Sequence, residues 1–303
     1  MEFLTDPIAW WIDPFVDNTF MRNALWAALL AVLTTSVVGT WVVLRGMTFL
    51  GDAFAHGVLP GIALAYIIGF STTIGALGAA LLIVGGIHLI RSFSPLSEET
   101  SIGVLFVGFL ALAVVIMSSG AGAYSGDLTR FLFGSITGID NDDLRRQAIA
   151  AAISVGTTVL LHRAFFVTTF DEAQAQIAGM RPKLAHAALL TLLAIAIVSS
   201  FEAVGSLLVF AFLVAPAATA SLLVRRVPRI MMTAVGLGAI AALVGLLVSY
   251  HHDTAAGATM ALATVVMLLT TLFVTGVIRA LRRPPSRQVS EAELDAPTRQ
   301  HTR

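Results

Sequence analysis

Asp52 and His56 stand four positions apart in GDAFAHGVLPGIALAYIIG, a stretch otherwise apolar enough to cross a bilayer. On a helix that spacing puts carboxylate and imidazole on one face, where an oxygen and a nitrogen ligand reach a single cation together. Ionisable groups at membrane depth are costly and mark ion or substrate paths. In a chain with 12% charged residues the pair stands out. Two arrangements fit the spacing. Either the pair coordinates a cation, or Asp52 pairs with Arg45 while His56 hydrogen-bonds a neighbouring helix. Two ligands do not complete a metal site, but a two-fold homodimer would bring four together. Mixed oxygen and nitrogen ligation suits Mn²⁺, Zn²⁺ or Fe²⁺ and not Cu⁺, which selects sulfur.

Other candidates are weaker. His251, His252 and Asp253 lie between the last two apolar runs, either capturing a cation at the outer mouth or forming a polar loop. Glu202 ends a run on the same side and reads as a solvated terminal acid. Glu98 and Glu99 open another run, where a helix dipole favours acids without any transport role. His88, His162 and His186 read as interfacial residues. No GxxxxGK[ST] loop is present and the single lysine, Lys183, follows a proline, so the chain does not hydrolyse ATP itself. HExxH and GxSxG are absent too, leaving no catalytic residue to assign. There is no nucleic-acid footprint, and with 0 cysteines there is neither a disulfide frame nor a thiolate metal site.

The elements that must hold these residues are membrane helices. Hydrophobic residues make up 57% of 303, the signature of an all-α polytopic membrane protein with eight to ten spans at roughly 20 residues each. Nine apolar runs are visible: 21–44, 52–70, 72–90, 102–118, 145–161, 185–201, 204–224, 230–250 and 256–279. Each is expected to be helical, because lipid-exposed backbone must satisfy its own hydrogen bonds. Arg45, Arg91, Arg163, Arg181, Lys183, Arg225, Arg226, Arg229, Arg279, Arg282 and Arg283 then fall on one side, giving a cytoplasmic C-terminus and an external N-terminus. Arg145 and Arg146 oppose this, beside Asp140, Asp142 and Asp143. Residues 1–19 are acidic, lack a basic signal-peptide region, and with Trp10 and Trp11 suit an interfacial segment. Residues 123–144 read as an external loop with a short buried or interfacial turn. In 165–184 the spacing predicts a short helix, about 169–179, with a capping box from Thr169 to Glu172, a stop at Gly179 and a block at Pro182. Pro216 sits within the run at 204–224 and is expected to kink it. Residues 1–281 form one transmembrane domain, and 282–303 are polar, Pro-containing and expected to be disordered.

Six blocks, in order, resemble the membrane subunit of zinc- and manganese-type ABC metal importers. They are VVLRGMTFLGDAFAHGVLPGIALAY (42–66), EETSIGVLF (98–106), DLTRFLFGSI (127–136), TTFDEAQAQIAGM (168–180), EAVGSLLVFAFLVAPAATASLL (202–223) and SYHHDTAAGATMAL (249–262). The resemblance implies a type II ABC-importer permease fold in the bacterial plasma (inner) membrane. It implies a homodimer enclosing the path, two separate ABC ATPase subunits, and an extracytoplasmic binding protein (lipoprotein or periplasmic) that delivers the metal. It implies that Asp52 and His56 are the intramembrane metal ligands. It also implies that Asp171, Glu172, Ala173, Ala178 and Gly179 belong to a coupling helix docking into the ATPase. The transported ion would be Mn²⁺, Zn²⁺ or Fe²⁺, with no cofactor bound permanently. One block departs from the pattern: Ala255-Ala256 precede Gly257 where Pro-Ser or Pro-Thr is expected. The alternative is a proton-coupled secondary metal transporter with Asp52 and His56 as the relay; it needs no ATPase and gives the capped helix no task.

Overall fold

The computed structural model describes residues 7–119 and 138–282. The described elements are helices, and each of the nine apolar runs lies in one or two of them. Helix α1 (Pro7–Asp17) is short and precedes the long α2 (Thr19–Leu44). Helices α3 (Thr48–Gly57) and α4 (Leu59–Ile68) meet at Val58, whose own backbone is helical, so Thr48–Ile68 forms one span interrupted beside Pro60. Helices α5 (Thr72–Phe93) and α6 (Glu98–Ser119) follow. After 120–137 come α7 (Asn141–Leu160), α8 (His162–Phe170) and the six-residue α9 (Glu172–Ile177). The chain closes with α10 (Pro182–Val204), α11 (Ser206–Leu223), α12 (Val227–His252) and α13 (Ala256–Arg282). Among the described residues seven helices are long and apolar enough to span, eight if α7 and α8, bent by 65°, count as one broken span. Helix α11, apolar over Val209–Leu223, is the run at 204–224 in shorter form.

Helix α2 is the centre of the bundle, packed against α7, α10, α11 and α12. Its middle reads TTSVVGT, and these small residues are buried. Small side chains let neighbouring helices approach closely, which in lipid replaces the hydrophobic drive available in water. The hydroxyls of Thr34, Thr35 and Thr40 donate to the carbonyls of Leu30, Ala31 and Ser36 at 2.8, 2.7 and 2.8 Å, so their burial leaves no donor stranded. Helices α4 and α5 cross at Gly61 and Gly75. A Cβ on either glycine would run into the other's carbonyl oxygen, so this contact is backbone against backbone.

Both ends of the bundle are tied by polar contacts. At one end Trp10 of α1 stacks on His251 of α12, with ring centroids 4.6 Å apart and planes within 10°. Asn18 donates to the Tyr250 hydroxyl at 3.1 Å, and Asn23 donates to the Ile139 carbonyl at 3.1 Å. This is the segment expected to be interfacial, and here it is a helix pinned to the last turn of α12. At the same end Asp140 caps α7 in a reciprocal box with Asp143, whose backbone N–H holds the Asp140 carboxyl below its ordinary range. Arg146 pairs with Asp143, so one of the two opposing arginines is neutralised there. Most of the loop expected at 123–144, with the block at 127–136, lies outside the described residues. So does the tail expected from 282, beyond Arg282.

One sequence expectation needs correcting. The segment after 161 is not a loop carrying a helix at 169–179. It is the helix α8, a cap residue, and the short α9. The cap is Asp171, whose carboxylate accepts from the Gln174 N–H at 2.9 Å, not Thr169. Thr169 does not cap it, because it is itself a helical residue in the last turn of α8 and its hydroxyl oxygen accepts from Arg45 Nε at 2.9 Å. Gly179 does take the left-handed conformation at the stop, φ 73°, and Pro182 opens α10.

Candidate functional site

Helix α3 places Asp52 and His56 on one face, and its immediate neighbours explain why. Gly51 lies against Leu213 and Phe210 of α11, and Gly57 lies against Ile83 of α5. A side chain at either position would collide with those neighbours, so the glycine face turns into the bundle. The ionisable face is then left half-open: the side chains of Asp52 and His56 keep 36% and 21% of their exposure. His56 Nε2 is 3.6 Å from Asp52 Oδ1. That separation is too long for a hydrogen bond. With ligand bonds of about 2.0–2.2 Å, it is the span of two ligand atoms on one ion at roughly 110–130°, at or somewhat wider than a tetrahedral angle. The wall opposite is aromatic. The Phe106 ring of α6 lies 5.8 Å from His56 and 6.0 Å from Phe49. Among the described residues no group of three or more His, Cys, Asp or Glu converges on one point, so no third ligand of these types joins the pair among them.

The structural alternative for the pair, Asp52 bound to Arg45, does not form. Arg45 follows the last residue of α2 and turns away, donating from Nε to Thr169 Oγ1 at 2.9 Å and from Nη2 to Thr168 Oγ1 at 2.6 Å. Burial pushes the Arg45 guanidinium down from its usual value, and Glu98 and Glu172 pull it back up. It stays charged, as guanidinium does in proteins.

Arg45 also lines a cavity of about 340 Å³ where α2, α5, α6, α8, α9 and α10 converge. Arg91, Lys183, His88, Glu98 and Glu172 share its wall, so three of the basic residues expected on one side, Arg45, Arg91 and Lys183, come together here. Within it Arg91 Nη1 donates to Glu98 Oε2 at 2.9 Å, and His186 Nε2 lies 3.1 Å from Glu98 Oε1. Glu98 therefore does more than complement a helix dipole: it joins α5, α6 and α10. The His162 ring lies 5.5 Å from that of the buried Trp41. Beside the cavity α9 buries Ala175 and leaves Ile177 87% exposed, with Phe166 and Phe170 of α8 also open. Asp171, Glu172, Ala173 and Ala178 are exposed around it.

At the opposite end His251 is already engaged. Besides its stack, its Nε2 lies 3.1 Å from the Trp10 carbonyl oxygen. His252 and Asp253 are exposed, and Asp253 ends α12 in the left-handed conformation, φ 50°. The structure does not bring these three residues near Asp52 and His56. The contacts of Arg45 and Glu98 were missed by sequence reasoning. The one usable signal was the position of Arg45, seven residues before Asp52 at the junction of two spans.

A bundle of apolar helices with one half-open ionisable pair and a capped helix at its charged end defines a membrane permease. The chain belongs to the ABC 3 transport family, whose pattern it matches over residues 17–277. It is a membrane component of a transporter and not an enzyme. It is 34% identical to the manganese transport system membrane protein MntC of Listeria monocytogenes over 263 residues, covering 86% of this chain and 93% of that protein. It is also 34% identical to a Haemophilus influenzae protein named "Probable iron transport system membrane protein", covering 82% of this chain and 91% of the relative. Among solved structures it resembles PsaBC from Streptococcus pneumoniae in complex with Fab. There the TM-score is 0.80 at 32% identity, covering 88% of this chain and 96% of that one.

Proposed function

We propose that this chain is the permease of an ATP-driven importer for a divalent transition metal, with Asp52 and His56 as the ligands that carry the ion through the membrane. The observation that carries the reading is the 3.6 Å gap between Asp52 Oδ1 and His56 Nε2, half-open on a helix whose glycine face packs into the bundle. The pair is spaced for an ion and does not satisfy itself. The names of the relatives favour Mn²⁺, with Fe²⁺ next; Zn²⁺ has the same ligand preferences. One chain supplies two ligands, so the working unit is a homodimer in which two copies present four. Alternating access would open this path to one side and then the other. Binding must hold the ion long enough to select it and release it readily, and a small oxygen and nitrogen site without thiolate fits that demand.

The remaining parts follow the same reading. Residues 1–281 are the permease domain in the bacterial plasma membrane. The arginine-rich end faces the cytoplasm. There α9, with Asp171, Glu172, Ala173, Ala178 and Gly179, docks into a separate ABC ATPase through the exposed Ile177. An extracytoplasmic metal-binding protein loads the opposite end, where His252 and Asp253 are the groups still open to a cation. Residues 282–303 form a cytoplasmic tail.

The test is uptake of Mn²⁺ into proteoliposomes holding the permease, its ATPase and its binding protein. Asp52→Ala and His56→Ala are each expected to abolish uptake while the ATPase still copurifies. Parental uptake by both variants would overturn the assignment.

A further inference from the structure

The guanidinium of Arg45 bridges two pieces of chain that the proposed transport cycle must connect. On one side it is anchored one residue beyond α2, and after the turn at Gly46 (φ 69°) α3 begins at Thr48 and carries Asp52 and His56. On the other side it holds both threonines of the last turn of α8, just ahead of Phe170 and of the cap and body of α9. The threonines suit the task. Thr168 donates its own proton to the Ala164 carbonyl at 2.7 Å and Thr169 donates to Phe165 at 2.5 Å, so each hydroxyl oxygen is fixed and its lone pairs point at the guanidinium. Two donors of one planar fork on two fixed acceptors resist both sliding and rotation, which a single ammonium would not.

We infer that Arg45 is the tie that passes motion of the ATPase-docking helix α9 to the helix bearing the metal ligands. The inference rests on the function proposed above and adds a positioning residue to it; Arg45 touches neither metal nor nucleotide. Alternative connections are less direct. Glu98 reaches α10 through His186, but it opens α6, about two turns before the Phe106 that faces His56, and no covalent chain links it directly to α3. Arg45 is joined to α3 by covalent chain. The 340 Å³ cavity beside it leaves room for the α8–α9 corner to shift without unpacking the bundle.

The experiment uses the complete complex in proteoliposomes, reading Mn²⁺ uptake and ATP hydrolysis from the same vesicles. Two variants approach the tie from its two sides: Arg45→Ala, and Thr168→Val with Thr169→Val. The tie predicts that both retain ATPase association and equilibrium Mn²⁺ binding, while ions moved per ATP fall roughly tenfold, the size of an ordinary coupling between two sites. Combining the two sets should give no further loss, because they remove one interaction. Arg45→Lys, with its charge kept and its fork lost, should recover only part of the ratio. A parental ratio in the threonine variant would overturn the tie, whatever Arg45→Ala does to folding. So would additive losses in the combination. Failure of the underlying reading looks different: the unaltered complex would then move no Mn²⁺ at all.

Discussion

Asp52 Oδ1 and His56 Nε2 lie 3.6 Å apart, one turn from each other on the same helix, too far for a hydrogen bond and near enough for a shared ion. This gap connects a local sequence pattern to transport. Pro60 and Gly57 end the helix just beyond His56, while Gly51 and Gly57 set the opposite face against α11 and α5. The pair is therefore presented at a break in a span and oriented by what packs behind it.

The docking helix should be separable from the metal pair. Ile177 is 87% exposed at the end of α9 and contributes nothing to the bundle. Ile177→Asp is expected to prevent copurification of the ATPase and leave Mn²⁺ binding to the permease unchanged. Asp171→Ala, which removes the cap accepting from Gln174, should weaken the same association more mildly, by about 1 kcal/mol of helix stability. Pull-down yield against equilibrium metal binding separates the two properties.

The α4–α5 crossing should tolerate no side chain. At Gly61 and Gly75 an added Cβ meets backbone oxygen, which has nowhere to go. Gly61→Ala or Gly75→Ala is expected to destabilise the permease by about 1–3 kcal/mol or more, the ordinary cost of overpacking. Gly78→Ala, facing open space within α5, is the control and should be neutral or stabilising by up to about 1 kcal/mol. Thermal unfolding in detergent distinguishes them.

His251 should act first through α1. Its stack on Trp10, worth about 0.5–1.5 kcal/mol, is one of the contacts holding the N-terminal helix to α12. His251→Ala is expected to raise protease sensitivity near Trp10 and to alter tryptophan emission, with uptake largely kept. A loss of uptake with α1 still docked would instead assign the ring to cation capture.

How much of this was legible in the sequence depends on the range of the interaction. Each apolar run became helix because backbone hydrogen bonding in lipid leaves a chain little choice. The pair at 52 and 56 was visible for the same reason, since one helical turn fixes which residues share a face. The docking helix was found but displaced. Thr169 and Glu172 have capping-box spacing, yet Thr169 still belongs to the preceding helix and its hydroxyl oxygen accepts from Arg45, so Asp171 takes the cap. The partner of Arg45 was illegible. Asp52 is seven positions away and oppositely charged, whereas Thr168 and Thr169 are more than 120 positions away and neutral, and only the fold brings them within reach.

The most direct test of the central claim is Mn²⁺ bound to the purified permease at equilibrium, counted per chain. The account predicts one ion for every two chains, held by nitrogen and oxygen and lost in Asp52→Ala and in His56→Ala. Undiminished binding by the doubly substituted protein, still folded and still dimeric, would contradict it.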